Sequence, residues 1–170
     1  MTDSAQSLPL PPGCKAFRGP LLHFLDDPGN GPEPVADSYD YLADGLLVVH
    51  QGKVIATGAA DAVIPSLPPG ATVQHFPDSL ILPGFIDTHV HMPQLGVIAS
   101  YGAQLLDWLE NYTFPHEARF SDQNYAQAEA HRFTNLLLGH GTTSGLVFCT
   151  SHPGSVDALF NAAEARGMGL

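Results

Sequence analysis

From Lys15 to Leu82 the chain alternates short apolar runs with Gly, Pro and Asp. The run AFRGPLLHFL predicts a strand, and PGNGPEP after it predicts a loop. In LLVVHQGKVIAT two β-rich runs flank Gln51-Gly52. A glycine there can take positive φ, so the pair predicts a two-residue hairpin. ATVQHFPDSLILP adds one or two short strands. No segment of this half has the length or period of a useful helix. The expectation is a small β-sandwich or sheet over residues 14–82, after a loosely held, polar and Pro-rich start at 1–13.

At Pro83-Gly84 the pattern changes. FIDTHVHM predicts one strand, and LLDWLENYTF a short amphipathic helix that ends before Pro115. Ser121 is placed to cap the next helix, with Asp122 favourable in its first turn. Ala126, Ala130, Phe133 and Leu137 recur at helical spacing, and Gly139 or Gly141 ends that helix. TTSGLVFC predicts a buried strand and HPGS a loop. VDALFNAAEARG predicts a helix with Val156, Leu159, Phe160 and Ala163 inward. Strand, helical connection, strand and helix in succession imply a parallel sheet with helices over it. The fold class expected is α/β with a β-rich N-terminal part.

Charge and composition narrow the possible partners. The net charge is −11, from 17 acids against 6 scattered bases, with no basic stripe. That argues against nucleic acid and against an anionic membrane surface. No run approaches the roughly 20 apolar residues of a membrane span. The start, MTDSAQSLPLPPG, lacks the charged and apolar regions of a signal peptide. The expectation is a soluble, cytoplasmic protein. Cys14 and Cys149 are two distant thiols, expected to be reduced, with Cys149 in the core. Hydrophobic residues, at 44%, suffice for a core. The charged fraction, 14%, is below the usual figure of about 25%, as if further chain covered part of the surface.

The stretch LPGFIDTHVHMPQ concentrates the chemistry. On a strand, residues i and i+2 face one side, so Asp87, His89 and His91 share a face. Two imidazoles held side by side suit Zn²⁺ or Fe²⁺. Asp87 could accept a hydrogen bond from a ligand histidine. The same H-x-H pair is also compatible with ordinary polar residues at a strand end. Its position favours ligands, because active sites of parallel barrels sit at the carboxyl ends of strands.

PGFIDTHVH resembles the first barrel strand of the amidohydrolase superfamily of metal-dependent hydrolases. HMPQ, LLDWLENYTFPHEARF and GTTSGLVFCTSHP closely resemble the guanine deaminase family within it. The likeness runs well from about Gly84 to Gly167, and extends to the β-rich half only in general layout. It implies a composite β-sandwich followed by the first two strand-helix units of a (β/α)8 TIM-type barrel. It implies His89 and His91 as two zinc ligands, with iron the other metal to consider. His91, Met92, Pro93 and Gln94 would line the substrate pocket. Gln94 would hydrogen-bond guanine through a carboxamide that both donates and accepts. Trp108 is a further pocket candidate, with a place in the core as its other reading. His152 is another, with a capping role as its other reading. Glu117 reads as a helix or loop anchor. His23, His50, His75, His116, His131 and His140 match no ligand spacing and are expected in surface or satisfied polar roles.

The implied reaction converts guanine and water to xanthine and ammonia through a metal-activated hydroxide, in purine catabolism. The pattern of the Cys-ligated nucleobase deaminases, H-x-E with P-C-x-x-C, is absent. A catalytic zinc generally takes three protein ligands, and a whole barrel takes about 250 residues. The stretch after Pro83 has room for two strand-helix units. The expectation is therefore an N-terminal fragment, doubtful in activity alone, with the remaining ligands and the catalytic carboxylates beyond Leu170. The full-length protein is compatible with a homodimer. Two other readings stay open: a chlorohydrolase-like or cytosine-deaminase-like amidohydrolase, and a catalytically dead truncated interaction module.

Overall fold

The computed structural model describes residues 9–170, so the first eight residues of the expected loose start lie outside the described residues. The chain divides into two compact units, Met1–Pro83 and Gly84–Leu170.

The first unit holds β1 (Lys15–Phe24), β2 (Tyr39–His50), β3 (Lys53–Ala59), a one-turn helix α1 (Ala60–Val63) and β4 (Val73–His75). The sheet order is β3-β2-β1-β4. β1 and β3 pair antiparallel with β2, and β4 adds in parallel to β1. The hairpin at Gln51-Gly52 closes on the pair His50↔Lys53. Both turn residues have positive φ, 49° and 75°, as a type I′ turn requires and as its twist demands of the flanking strands. On β2, Leu46 and Val48 are fully buried and the alternating Leu47 and Val49 are not. Each buried aliphatic side chain of this kind contributes about 1.5–3 kcal/mol.

Of the expected sandwich or sheet, the described residues of this unit form one four-stranded sheet. The buried face is covered by Ala60 and Val63 of α1 and by Leu67 and Leu10, not by a facing sheet.

The second unit runs β5 (Phe85–His91), α2 (Leu105–Trp108), α3 (Phe114–Ala118), α4 (Gln123–Gly139), β6 (Thr142–Phe148) and α5 (Pro153–Glu164). β5 and β6 are parallel, and Gly169 adds a parallel bridge to Ser144. α4 and α5 pack together over the sheet through Ala126, Ala130, Phe133, Ala158, Leu159 and Ala162. Val90 and Val147, paired across the strands, point into this core.

Several local expectations change. The helical run does not stop before Pro115. A π turn, Leu109–Thr113, links α2 to α3, and Pro115 lies in the first turn of α3. Proline has no N–H to give an α-type ladder. The wider turn avoids the need, with Phe114 N–H donating to Leu109 C=O. Asp122, not Ser121, caps α4: its Oδ1 accepts from the Asn124 and Tyr125 N–H groups at 2.8 and 3.2 Å. Asp122 is the extended residue, whereas Ser121 still belongs to a 3₁₀ turn and donates to Ala118 C=O.

The HPGS segment is not a loop but the start of α5, with Pro153 at a first-turn position that needs no N–H. Phe160 faces solvent at 52% exposure, because the buried stripe of α5 is Ser155, Ala158, Leu159, Ala162 and Ala163. Small residues on both α4 and α5 let the two helices meet closely. β6 is covered on one face only, which leaves Leu146 67% and Phe148 51% exposed.

Candidate metal centre

His89 and His91 stand at the carboxyl end of β5. Their ring centroids are 5.3 Å apart and their Nε2 atoms 3.2 Å apart. Two nitrogens each about 2.0–2.1 Å from one tetrahedral ion lie about 3.3 Å from each other. The donor pair thus has the spacing that one zinc ion needs. Among the described residues no group of three or more His, Cys, Asp and Glu is gathered for a metal, so the geometry supplies two protein donors.

Asp87 lies beside the pair, but its Oδ1 accepts from the His89 backbone N–H at 3.1 Å. Through Oδ1 the carboxylate holds the strand end, and among the described residues no bond from it to a ligand ring is present. Phe148, which the sequence reading passed over, is the residue in contact with both rings. It stacks on His91 at 4.7 Å and 12°, and tilts against His89 at 5.0 Å. The ladder pairs His91 with Phe148. The available signal was the parallel alignment of FIDTHVH with TTSGLVF, which sets their last residues side by side.

Asp87, His89, His91 and Gln94 line one cavity of about 510 Å³, together with Leu137 and His140 of the α4 end. Gln94 Nε2 donates to Glu117 Oε1 at 3.5 Å, so Glu117 is an anchor and Gln94 is what it holds. Glu117 also lines a smaller cleft, about 220 Å³, with Phe114, Thr150, Ser151 and His152. His152 caps α5 through its backbone: its C=O accepts from Ser155 N–H and Oγ. Its side chain makes no capping bond.

Met92 and Pro93 do not line either cavity, against expectation. Both are fully buried, and Met92 joins Phe120 and Phe133 in the core. The chain turns into a 3₁₀ segment, Met92–Val97, right after β5, and that turn sends the apolar residues inward while Gln94 stays at the cavity. Trp108 lines neither cavity. Its Cβ lies against Gly102, where an added Cβ would come within 2.4 Å.

His116 is half-buried, hydrogen-bonded to Tyr125 Oη at 3.1 Å. Gly96 packs against its ring, where an added Cβ would lie 2.2 Å from Cε1. Burial, with Arg119 nearby, lowers the His116 pKa. Burial likewise pushes the Cys149 thiol up, so it stays protonated and inert at neutral pH.

Residues 80–170 match the amidohydrolase family. The chain belongs to that family. The guanine deaminase of Escherichia coli strain K12 is 44% identical over 154 residues, an alignment that covers 91% of this chain and 35% of that protein. The crystal structure of guanine deaminase from Bradyrhizobium japonicum superposes with a TM-score of 0.80 at 37% identity, over 91% of this chain and 33% of that one. Guanine deaminase from C. acetobutylicum, solved with guanine bound in the active site, gives 0.70 at 30% identity, over 92% and 35%. The chain therefore spans about a third of the length of these relatives.

Proposed function

We propose that this chain supplies two metal ligands, His89 and His91, and the purine-contacting Gln94 of a zinc-dependent guanine deaminase. The reaction is guanine plus water to xanthine plus ammonia, within purine catabolism and in the cytoplasm. The observation that carries the reading is the convergent Nε2 pair opening on the same cavity as Gln94. The 44% identity to the E. coli guanine deaminase supports it. Among the described residues no helix is long and apolar enough to cross a membrane.

A bound zinc ion would supply the Lewis acidity that makes water nucleophilic near neutral pH; imidazole donors suit iron as well. His89 and His91 would hold the ion. Glu117 occupies Gln94 Nε2, which leaves Gln94 Oε1 to accept an N–H from the purine edge. Residues 14–82 are assigned a supporting part and residues 83–170 the start of the catalytic barrel.

A chimera tests this. Residues 14–170 replace the matching segment of the E. coli guanine deaminase. The chimera is expected to bind zinc and to convert guanine to xanthine, and Gln94→Ala in it is expected to slow guanine more than other aminated heterocycles. A folded, zinc-loaded chimera that turns over a triazine or cytosine but not guanine would overturn the assignment.

A further inference from the structure

We propose that Phe148 is a positioning residue for the candidate metal pair, an aromatic platform that holds the His89 and His91 rings with their Nε2 atoms converged. The inference rests on the reading of that pair as metal ligands. Three rings meet here: His91 lies nearly parallel on Phe148, His89 leans on it, and the two imidazoles are themselves 5.3 Å apart. Phe148 does not serve the core. It is 51% exposed, on the opposite face of β6 from Val147, which does pack inward.

Among the described residues, the only side-chain hydrogen-bonding contact of either imidazole is the one between the two rings. Asp87, the obvious candidate to aim a ring, is engaged with backbone. Two unsupported side chains at a strand end would each sample about three χ1 wells, or about nine combinations, and few of these place both Nε2 atoms on one point. Offset and tilted aromatic contacts select among them. The ladder pairing His91↔Phe148 fixes the platform at the right height.

The experiment uses the full chain in three forms: unaltered, Phe148→Leu and Phe148→Tyr. Metal-free NMR reads the imidazole protons of His89 and His91, which ring stacking displaces. Competition titration reads zinc affinity, and the visible bands of Co²⁺ read the geometry at the metal. Phe148→Leu is expected to remove the imidazole displacement, to weaken zinc about 10-fold, the low end for residues that orient metal ligands, and to change the Co²⁺ spectrum. Phe148→Tyr, which keeps the ring, restores all three. Imidazole signals unmoved in Phe148→Leu, or equal zinc losses in the two variants, overturn the proposal. An E. coli chimera, which supplies the further donors, that binds zinc no better than its His91→Ala form overturns the metal assignment instead. The metal-free ring displacement separates that failure from the first.

Discussion

The two units use β-strands in opposite ways. In the first, β2 buries Leu46 and Val48 under a helical turn and is tied to β3 by two residues. In the second, β5 and β6 lie parallel, with helices over one face and Ile86 72% exposed. Parallel sheets are ordinarily covered on both faces. The half-covered pair is also the one that carries His89, His91 and Phe148 at its carboxyl ends. On β5 and β6 burial and chemistry alternate along the strand: Val90 and Val147 pack inward, while His89, His91 and Phe148 gather on the other face. In this unit, burial and function are divided between the two faces of the same strands.

The sharpest way to break that contrast is to remove a donor. In the E. coli chimera, His89→Ala or His91→Ala should cost three orders of magnitude or more in guanine turnover. That follows from a metal contribution of several kcal/mol at about 1.4 kcal/mol per decade. Full-rate turnover by either variant would return the pair to ordinary strand-end residues.

Next in size is Met92→Ala. Met92 is 0% exposed in the core of the second unit, so urea unfolding should show a loss of about 2–5 kcal/mol. A cavity-wall residue would instead show unchanged stability and altered ligand binding. Smaller again is Asp122→Ala, which removes the cap of α4. The expected loss is about 1 kcal/mol in the same measurement. Ser121→Ala should cost less, because Ser121 bonds only a neighbouring turn.

How much of this was written in the sequence depended on range. The Gln51-Gly52 turn was legible because two adjacent residues determine it. The α4 face was legible because Ala126, Ala130 and Phe133 repeat at helical spacing. The His89-His91 pair was legible because residues two apart on a strand share a side. Met92 was not, because its direction depends on the 3₁₀ turn that follows β5, and no periodicity marks such a turn. Pro115 misled because the reading assumed an α ladder, and the π turn removes the bond that proline would break. Phe160 misled because the buried face of α5 is set by its partner's alanines and not by the size of its own residues. Phe148 needed the strand register, which couples residues more than fifty positions apart.

The mildest test concerns His116, which lies in the same unit as the histidine pair but serves packing. Its ring is wedged against Gly96 and bonded to Tyr125 Oη. A neutral Nε2 can accept from that hydroxyl, and a protonated one cannot. Burial first, then Arg119 and Arg132, lower its pKa below the ordinary 6.5, against opposing pulls from Glu129 and Glu117. The unfolded chain therefore binds this proton at a higher pH than the folded one. Stability should be fully present above 6.5 and should fall as pH drops below it, until the folded ring also takes up the proton. His116→Gln keeps a polar acceptor and cannot titrate in this range. Urea midpoints measured from pH 7.5 down to 5 should decline less steeply for the variant than for the unaltered chain. Identical acid slopes would show that the fold is indifferent to the protonation of this ring.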